Sequence, residues 1–166
     1  MSTNSFSLEH CQKIGEIQSK KDEKIIIIED ADTNLKYIQK IENRTFDSEK
    51  TQDLYINNME KLVKVTKYPG LMPIISFKTQ PNPTIILEYK ENGTLRDFIA
   101  SDETQNKTCQ YLTDTKKYIN ILGIAYAIQY LHCHNIFVKN IDSSDIFLDE
   151  NLYPHLCITQ MMNDRT

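Results

Sequence analysis

Three adjacent side chains, His132, Cys133 and His134, carry atoms that transition metals bind well. Adjacent residues of a helix point in different directions, however, and no distant ligand pair stands ready to complete a site. The triplet therefore reads as the end of a helix. The four cysteines, Cys11, Cys109, Cys133 and Cys157, are widely spaced and form no Cys-x-x-Cys pair. They read as free thiols of a reducing compartment, the cytoplasm. Lys20, Lys21 and Lys24 make a short basic cluster that reads as a solvated turn. Other basic residues are scattered, and 19 Lys+Arg against 23 Asp+Glu leave a net charge of −4, which argues against a nucleic-acid partner.

A chain of 166 residues, 40% hydrophobic and 25% charged, suits one domain or a small two-lobed unit with a real core. No stretch approaches the roughly 18 apolar residues that cross a bilayer, so no membrane partner is expected. The opening Met-Ser-Thr-Asn-Ser-Phe-Ser has neither the basic flank nor the apolar core of a signal peptide, and Ser2 excludes N-myristoylation.

Residues 7–14 suggest a short strand running up to a turn at Gly15. The β-branched run Ile25-Ile26-Ile27-Ile28 between Lys24 and Glu29 reads as a second strand, and residues 35–41 as its return across the turn at 30–34. Residues 47–66 place Leu54, Met59, Leu62, Val63 and Val65 on one helical face, ended by Pro69-Gly70. Two more strands follow at 71–77 and 84–89, around Gln80-Pro81-Asn82-Pro83. The pattern predicts an antiparallel sheet with one helix, an α+β arrangement.

After the Asn92-Gly93 turn, Leu95, Phe98 and Ile99 begin a short helix, and residues 101–110 read as a polar loop. Thr113 is a candidate N-cap for a long helix striped by Tyr118, Leu122, Ala125, Ile128 and Leu131, widened by Ile121 and Ile124. Short strands at 146–148 and 155–158 flank a turn at Asp149-Glu150-Asn151.

From Ile85 onward the chain resembles the protein kinases, particularly the tyrosine-kinase-like group. Ile85-Ile86-Leu87-Glu88-Tyr89 is similar to the strand leading into the hinge between two lobes, and Lys90-Glu91-Asn92-Gly93-Thr94-Leu95 to the stretch after it. Ile124 to His132 resembles the end of the helix before the catalytic loop. Ile146-Phe147-Leu148-Asp149-Glu150-Asn151 resembles the strand after that loop. The resemblance is strongest over 71–157. It implies a small lobe at 1–89 and the first part of a helical large lobe at 90–166, truncated before the activation segment.

The resemblance also assigns roles. Catalysis in this family is positioning plus charge neutralisation. The catalytic-loop pattern His-Arg-Asp-Leu-x-x-x-x-Asn, matched without a gap, runs from Val138 through Lys139 to Asp145. Asn140 then stands where the Asp accepts or orients the substrate hydroxyl, and a neutral amide offers no basic oxygen for that task. Asp142 replaces a Lys or Arg that steadies the transferring phosphate, and its charge repels it. Asp145 replaces the metal-binding Asn and is left as an oxygen ligand for magnesium. The Asp-Phe-Gly motif falls on Ile158-Thr159-Gln160, so the principal magnesium carboxylate becomes an isoleucine.

Upstream, Tyr37-Ile38-Gln39-Lys40 resembles the strand that ends in the phosphate-pairing lysine. Lys40 is either that lysine or a surface strand lysine. Its partner Glu is expected near Asn58 or Met59, neither of them acidic, with Glu60 one residue away. The glycine-rich loop over 14–20 keeps only Gly15, and Glu16 there would repel phosphates. Leu87 stands at the gatekeeper position. The implied ATP contacts are Gly15, Lys40, Glu88, Tyr89 and Lys90.

These substitutions predict a catalytically inactive kinase-like domain, a pseudokinase or kinase fragment, that binds another protein or associates with itself through an incompletely covered large lobe. No cofactor is required for that role. Two alternatives keep ATP and magnesium in view: a divergent kinase with residual phosphotransfer, and nucleotide binding without transfer. An unrelated α+β domain, or a degenerate fragment with no function, is a further alternative.

Overall fold

In the computed structural model, which describes residues 6–17, 23–105, 112–138 and 140–159, the isoleucine run at 25–28 lies inside a sheet. Strands β1 (Cys11–Ile17), β2 (Glu23–Asp30) and β3 (Lys36–Glu42) are followed by helix α1 (Glu49–Val65) and strands β4 (Ile74–Lys78) and β5 (Thr84–Glu88). Every pairing is antiparallel, in the order β1-β2-β3-β5-β4. The β2–β3 turn is built by Asp30, whose carboxylate accepts the backbone N–H groups of Asp32 and Thr33 at 2.9 and 3.0 Å. Those two bonds, Thr33 first, hold its pKa below the ordinary carboxylate value.

The register fixes two faces. Directly opposed residues share a face, so Ile26, Ile28, Tyr37, Gln39 and Ile86 lie on one side. Phe6, Leu8 and Cys11 pack over it, with the Phe6 ring edge-on to Tyr37 at 4.7 Å. The other face carries Ile38, Lys40, Ile85 and Leu87, each buried.

Two expectations change here. Gly15 does not begin a turn; it lies inside β1 opposite Ile27, beside an irregularity between Lys13 and Gly15. A Cβ on Gly15 would sit 3.3 Å from Ile27 Cδ1. Residues 7–10 lie outside any strand, and Leu8 among them packs against the sheet. On α1 the buried face is Tyr55, Met59, Leu62 and Val65, whereas Leu54 is 57% exposed. Met59, Leu62 and Val65 face inward as expected, while Tyr55 takes the place expected of Leu54 because it meets Phe46 and Phe77 in an aromatic cluster. Burial raises the Tyr55 hydroxyl pKa well above its ordinary value, with the Glu42 charge adding to it.

Residues Met1–Lys64 and Pro73–Tyr89 make one compact unit, and Val65–Met72 with Lys90–Thr166 make a second. The second contains α2 (Leu95–Gln105), α3 (Asp114–Cys133), a 3-10 turn at Ser143–Asp145, and the hairpin β6 (Ile146–Leu148) and β7 (Pro154–Leu156). α2 runs on through residues 101–105, where a loop was expected, while 106–111 lie outside the described residues.

Thr113 caps α3, its hydroxyl accepting the Lys116 N–H at 3.3 Å. The buried face of α3 is Asn120, Ala127 and Leu131, while Tyr118, Leu122 and Ala125 of the expected stripe are exposed. Small residues decide this. A Cβ on Gly123 would lie 3.2 Å from Pro154 Cγ, and one on Gly70 would lie 3.1 Å from Ala127 Cβ. Close backbone approach replaces large side chains on that face. Tyr68 stacks on Tyr130 at 4.1 Å, and Met72 N–H donates to Leu156 O at 2.9 Å, which fastens Val65–Met72 to the second unit.

Candidate functional site

Lys40 sits on the inward face of β3 between two apolar neighbours in register, Ile25 on β2 and Ile85 on β5. It is 5% exposed, so it is not a surface strand lysine. A buried ammonium needs a charged partner. It has one in Glu23, whose Oε2 lies 2.7 Å from Nζ. Glu23 lies two residues from Ile25, on the same face and diagonal to Lys40, within reach of two long side chains. The helical position expected to supply the acid does not: Met59 is buried and Glu60 is exposed. Directly opposite Glu23 stands a second buried acid, Glu42, with Arg44 Nε 2.6 Å from its Oε2.

Glu23 escaped the sequence reading, yet its signal was there. Once the 30–34 turn sets the hairpin register, Glu29 pairs with Lys36 and Glu23 falls diagonal to Lys40.

The loop residues lie in the second unit. Asn140 is exposed and outside regular structure, Lys139 and Gln160 lie outside the described residues, and Ile158 is 1% exposed in the core. Asp142 caps the 3-10 turn, its Oδ1 accepting the Ser144 N–H at 2.9 Å, and pairs with Arg96 of α2. Asp145 returns the bond: its Oδ2 accepts the Asp142 N–H at 3.0 Å, closing a capping box. The two acids are thus brought together by backbone capping, and Arg96 balances the charge of Asp142. No local spacing announced Arg96, which is 46 residues away in sequence.

Magnesium does not fit these residues. The Asp145 carboxylate is engaged by backbone, Ile158 offers no oxygen, and no group of three His, Cys, Asp or Glu gathers among the described residues. His132, Cys133 and His134 belong to no such group either.

Of the hinge residues, Glu88 N–H donates to Pro73 O and Lys90 O accepts Gly93 N–H, each at 3.1 Å. Lys36 Nζ lies 5.8 Å from the Tyr89 ring centre, and Lys90 is buried. Gly15 is held in its strand, and residues 18–20 of the expected glycine-rich loop lie outside the described residues. The Lys40 ammonium is ion-paired with Glu23. Cys11, Cys133 and Cys157 carry free thiols, and Cys109 lies outside the described residues. No described helix is long and apolar enough to cross a membrane.

Residues 13–164 match the family described as protein tyrosine and serine/threonine kinase. Three curated proteins of Arabidopsis thaliana are similar to the chain. Protein STRUBBELIG-RECEPTOR FAMILY 5 is 28% identical over 125 residues, 72% of this chain and 17% of that protein. LRR receptor-like serine/threonine-protein kinase GSO1 is 32% identical over 91 residues, 52% of this chain and 7% of its own length. Protein kinase and PP2C-like domain-containing protein is 28% identical over 90 residues, 54% of this chain and 13% of its own. The chain spans less than a fifth of the length of each.

Proposed function

Because the chain belongs to the protein tyrosine and serine/threonine kinase family, we propose that it is a non-catalytic, kinase-like module that acts by binding another protein. The observation that carries this reading is Ile158, 1% exposed in the core where the family pattern puts the principal magnesium carboxylate. Phosphoryl transfer needs its metal to neutralise charge on the transferring group, and an isoleucine cannot hold one. Asn140 adds a second, independent loss, since its amide cannot take the substrate proton. Asp142 and Asp145 support the same reading, because their carboxylates serve the backbone of the 3-10 turn. On the binding side, Tyr118, Ile121, Leu122 and Tyr126 are exposed along α3, a surface suited to a protein partner or a second copy.

The test is transfer of radiolabelled phosphate from magnesium-ATP to a generic protein substrate. No transfer above buffer is expected, and Asn140→Asp alone should not restore it while Ile158 remains. Magnesium-dependent transfer that follows the chain through purification and vanishes in Lys40→Arg would overturn the reading in favour of a divergent active kinase.

A further inference from the structure

We propose that residues 6–8 are a displaceable strap over the sheet of the first unit, and that a segment of a partner protein with the same chemistry docks in their place. The proposal rests on the protein-binding reading and gives it a second surface, besides that of α3, with a stated ligand. Inward and outward side chains alternate along the strap: Phe6 and Leu8 are half-buried, and Ser7 is exposed. Phe6 and Leu8 pack on a floor of Ile26, Ile28 and Ile86, each buried, and the Phe6 ring stands edge-on to Tyr37. A turn closed by the Cys11 N–H on Leu8 O at 3.1 Å folds the strap back over the sheet as β1 begins.

The strap is not hydrogen-bonded to the strands it covers. Among the described residues, its polar contacts run only to near neighbours in the chain. Ser7 Oγ accepts the Glu9 N–H at 3.3 Å, Ser7 O accepts the Cys11 thiol at 3.7 Å, and Leu8 O accepts the Cys11 N–H. Two apolar side chains therefore fasten it to β2, β3 and β5, and it can lift without breaking a hydrogen bond of the sheet. Lifting bares an apolar floor, which gains from a new cover. The floor also selects that cover. It takes an aromatic and an aliphatic side chain two positions apart, as Phe6 and Leu8 are. Past the end of β2 the turn presents Asp32, and His10, two positions beyond Leu8, holds its Nδ1 2.6 Å from Asp32 Oδ2. The docked segment thus carries a basic residue two positions after its aliphatic one. Both side chains of that pair are exposed, so the charge contact orients the segment and adds little affinity.

Fluorescence anisotropy of a labelled peptide that copies residues 5–11 and carries Cys11→Ser tests the proposal on the full chain. In the unmodified chain the tethered strap should compete at about millimolar effective concentration and leave the peptide weakly bound. Phe6→Ser with Leu8→Ser removes both anchors. That variant should bind the peptide at least about tenfold more tightly, since burying one such side chain is worth about a factor of ten or more. The same two changes made in the peptide should abolish binding, and His10→Ala in the peptide should weaken it a few-fold at low salt only. Leu8→Ser alone, with a smaller gain, serves if the double variant does not fold. Alkylation gives a second readout. The Cys11 thiol packs against the same isoleucine cluster, where burial and then the Asp30 charge raise its pKa above the ordinary thiol value. Iodoacetamide should modify it more slowly than the exposed Cys133, faster once both anchors are removed, and slowly again at saturating peptide. A folded anchor variant that binds the peptide no more tightly, or a Cys11 alkylated as fast as Cys133 in the unmodified chain, overturns the proposal. A dimer in size-exclusion chromatography that the anchor variant abolishes also overturns it, in favour of strap exchange between two copies. Phosphate transfer from magnesium-ATP would instead sink the non-catalytic reading and leave these binding results as they stand.

Discussion

Breaking the Lys40–Glu23 pair from either side should cost far more stability than removing it whole. The two side chains are 6% and 11% exposed and 2.7 Å apart, so a single substitution strands a buried charge. That penalty is about 3–5 kcal/mol, whereas replacing both members with apolar groups of similar size is near neutral. For a chain of this size the single variants should melt roughly 6–20 °C lower. Lys40→Met keeps Glu23 opposed to the Arg44-paired Glu42, and Glu23→Leu keeps the Lys40 ammonium at the same depth. Lys40→Met combined with Glu23→Leu should recover most of the loss, giving a coupling of at least about 3 kcal/mol. The exposed pair Lys13–Glu16, with side chains 48% and 50% exposed, should give only about 0.2–1 kcal/mol in the same cycle. Urea unfolding followed by circular dichroism measures all of these. Single substitutions at 23 and 40 whose costs simply add would show that the pair is worth no more than a surface contact.

Other outcomes follow from burial and capping. Met59→Ala should lose about 2–5 kcal/mol and Leu54→Ala less than about 0.5, and a reversed ranking in urea would refute the phase of α1. Thr113→Ala should cost about 1 kcal/mol through the lost N-cap of α3, read as a lower urea midpoint; an unchanged midpoint would show the cap to be idle. Burial tends to raise the Asp149 pKa, but the Tyr153 N–H, His155 and the Asn151 N–H outweigh it and leave the group below its ordinary value of 3.8. A depressed native pKa gives stability that is complete above the unfolded value and is lost as pH falls through the native one. Asp149→Asn should therefore flatten the loss of stability below about pH 4, and parallel curves for the two proteins between pH 5 and 3 would remove that assignment.

The sheet was legible because β-branched residues and a turn cluster act locally, as Ile25 to Ile28 and Asp30 do. Tertiary contacts hid the rest. The α1 face shifted from Leu54 to Tyr55 because aromatic partners on other elements reward the tyrosine. The α3 stripe held at Leu131 but not at Tyr118, Leu122 or Ala125, for the opposite reason: Gly123 and Ala127 carry little hydrophobic signal, yet they admit Pro154 and Gly70. In the candidate site, the losses at Asn140 and Ile158 were visible as residue types. The engagements of Lys40 by Glu23 and of Asp142 by Arg96 came from register and from distant chain, which composition does not encode.

The chain enters the second unit at Val65, returns to the first at Pro73, and leaves it again after Tyr89. Neither unit is a continuous stretch, so a clone starting at Lys90 would be missing a piece of its own body. Met72 N–H would no longer donate to Leu156 O, nor Leu156 N–H to Gly70 O, and the Tyr130 ring would lose Tyr68. A bare strand edge beside an uncovered aromatic invites aggregation. Domain-mapping experiments on this protein need a linker that carries residues 65–72 along with the later part of the chain.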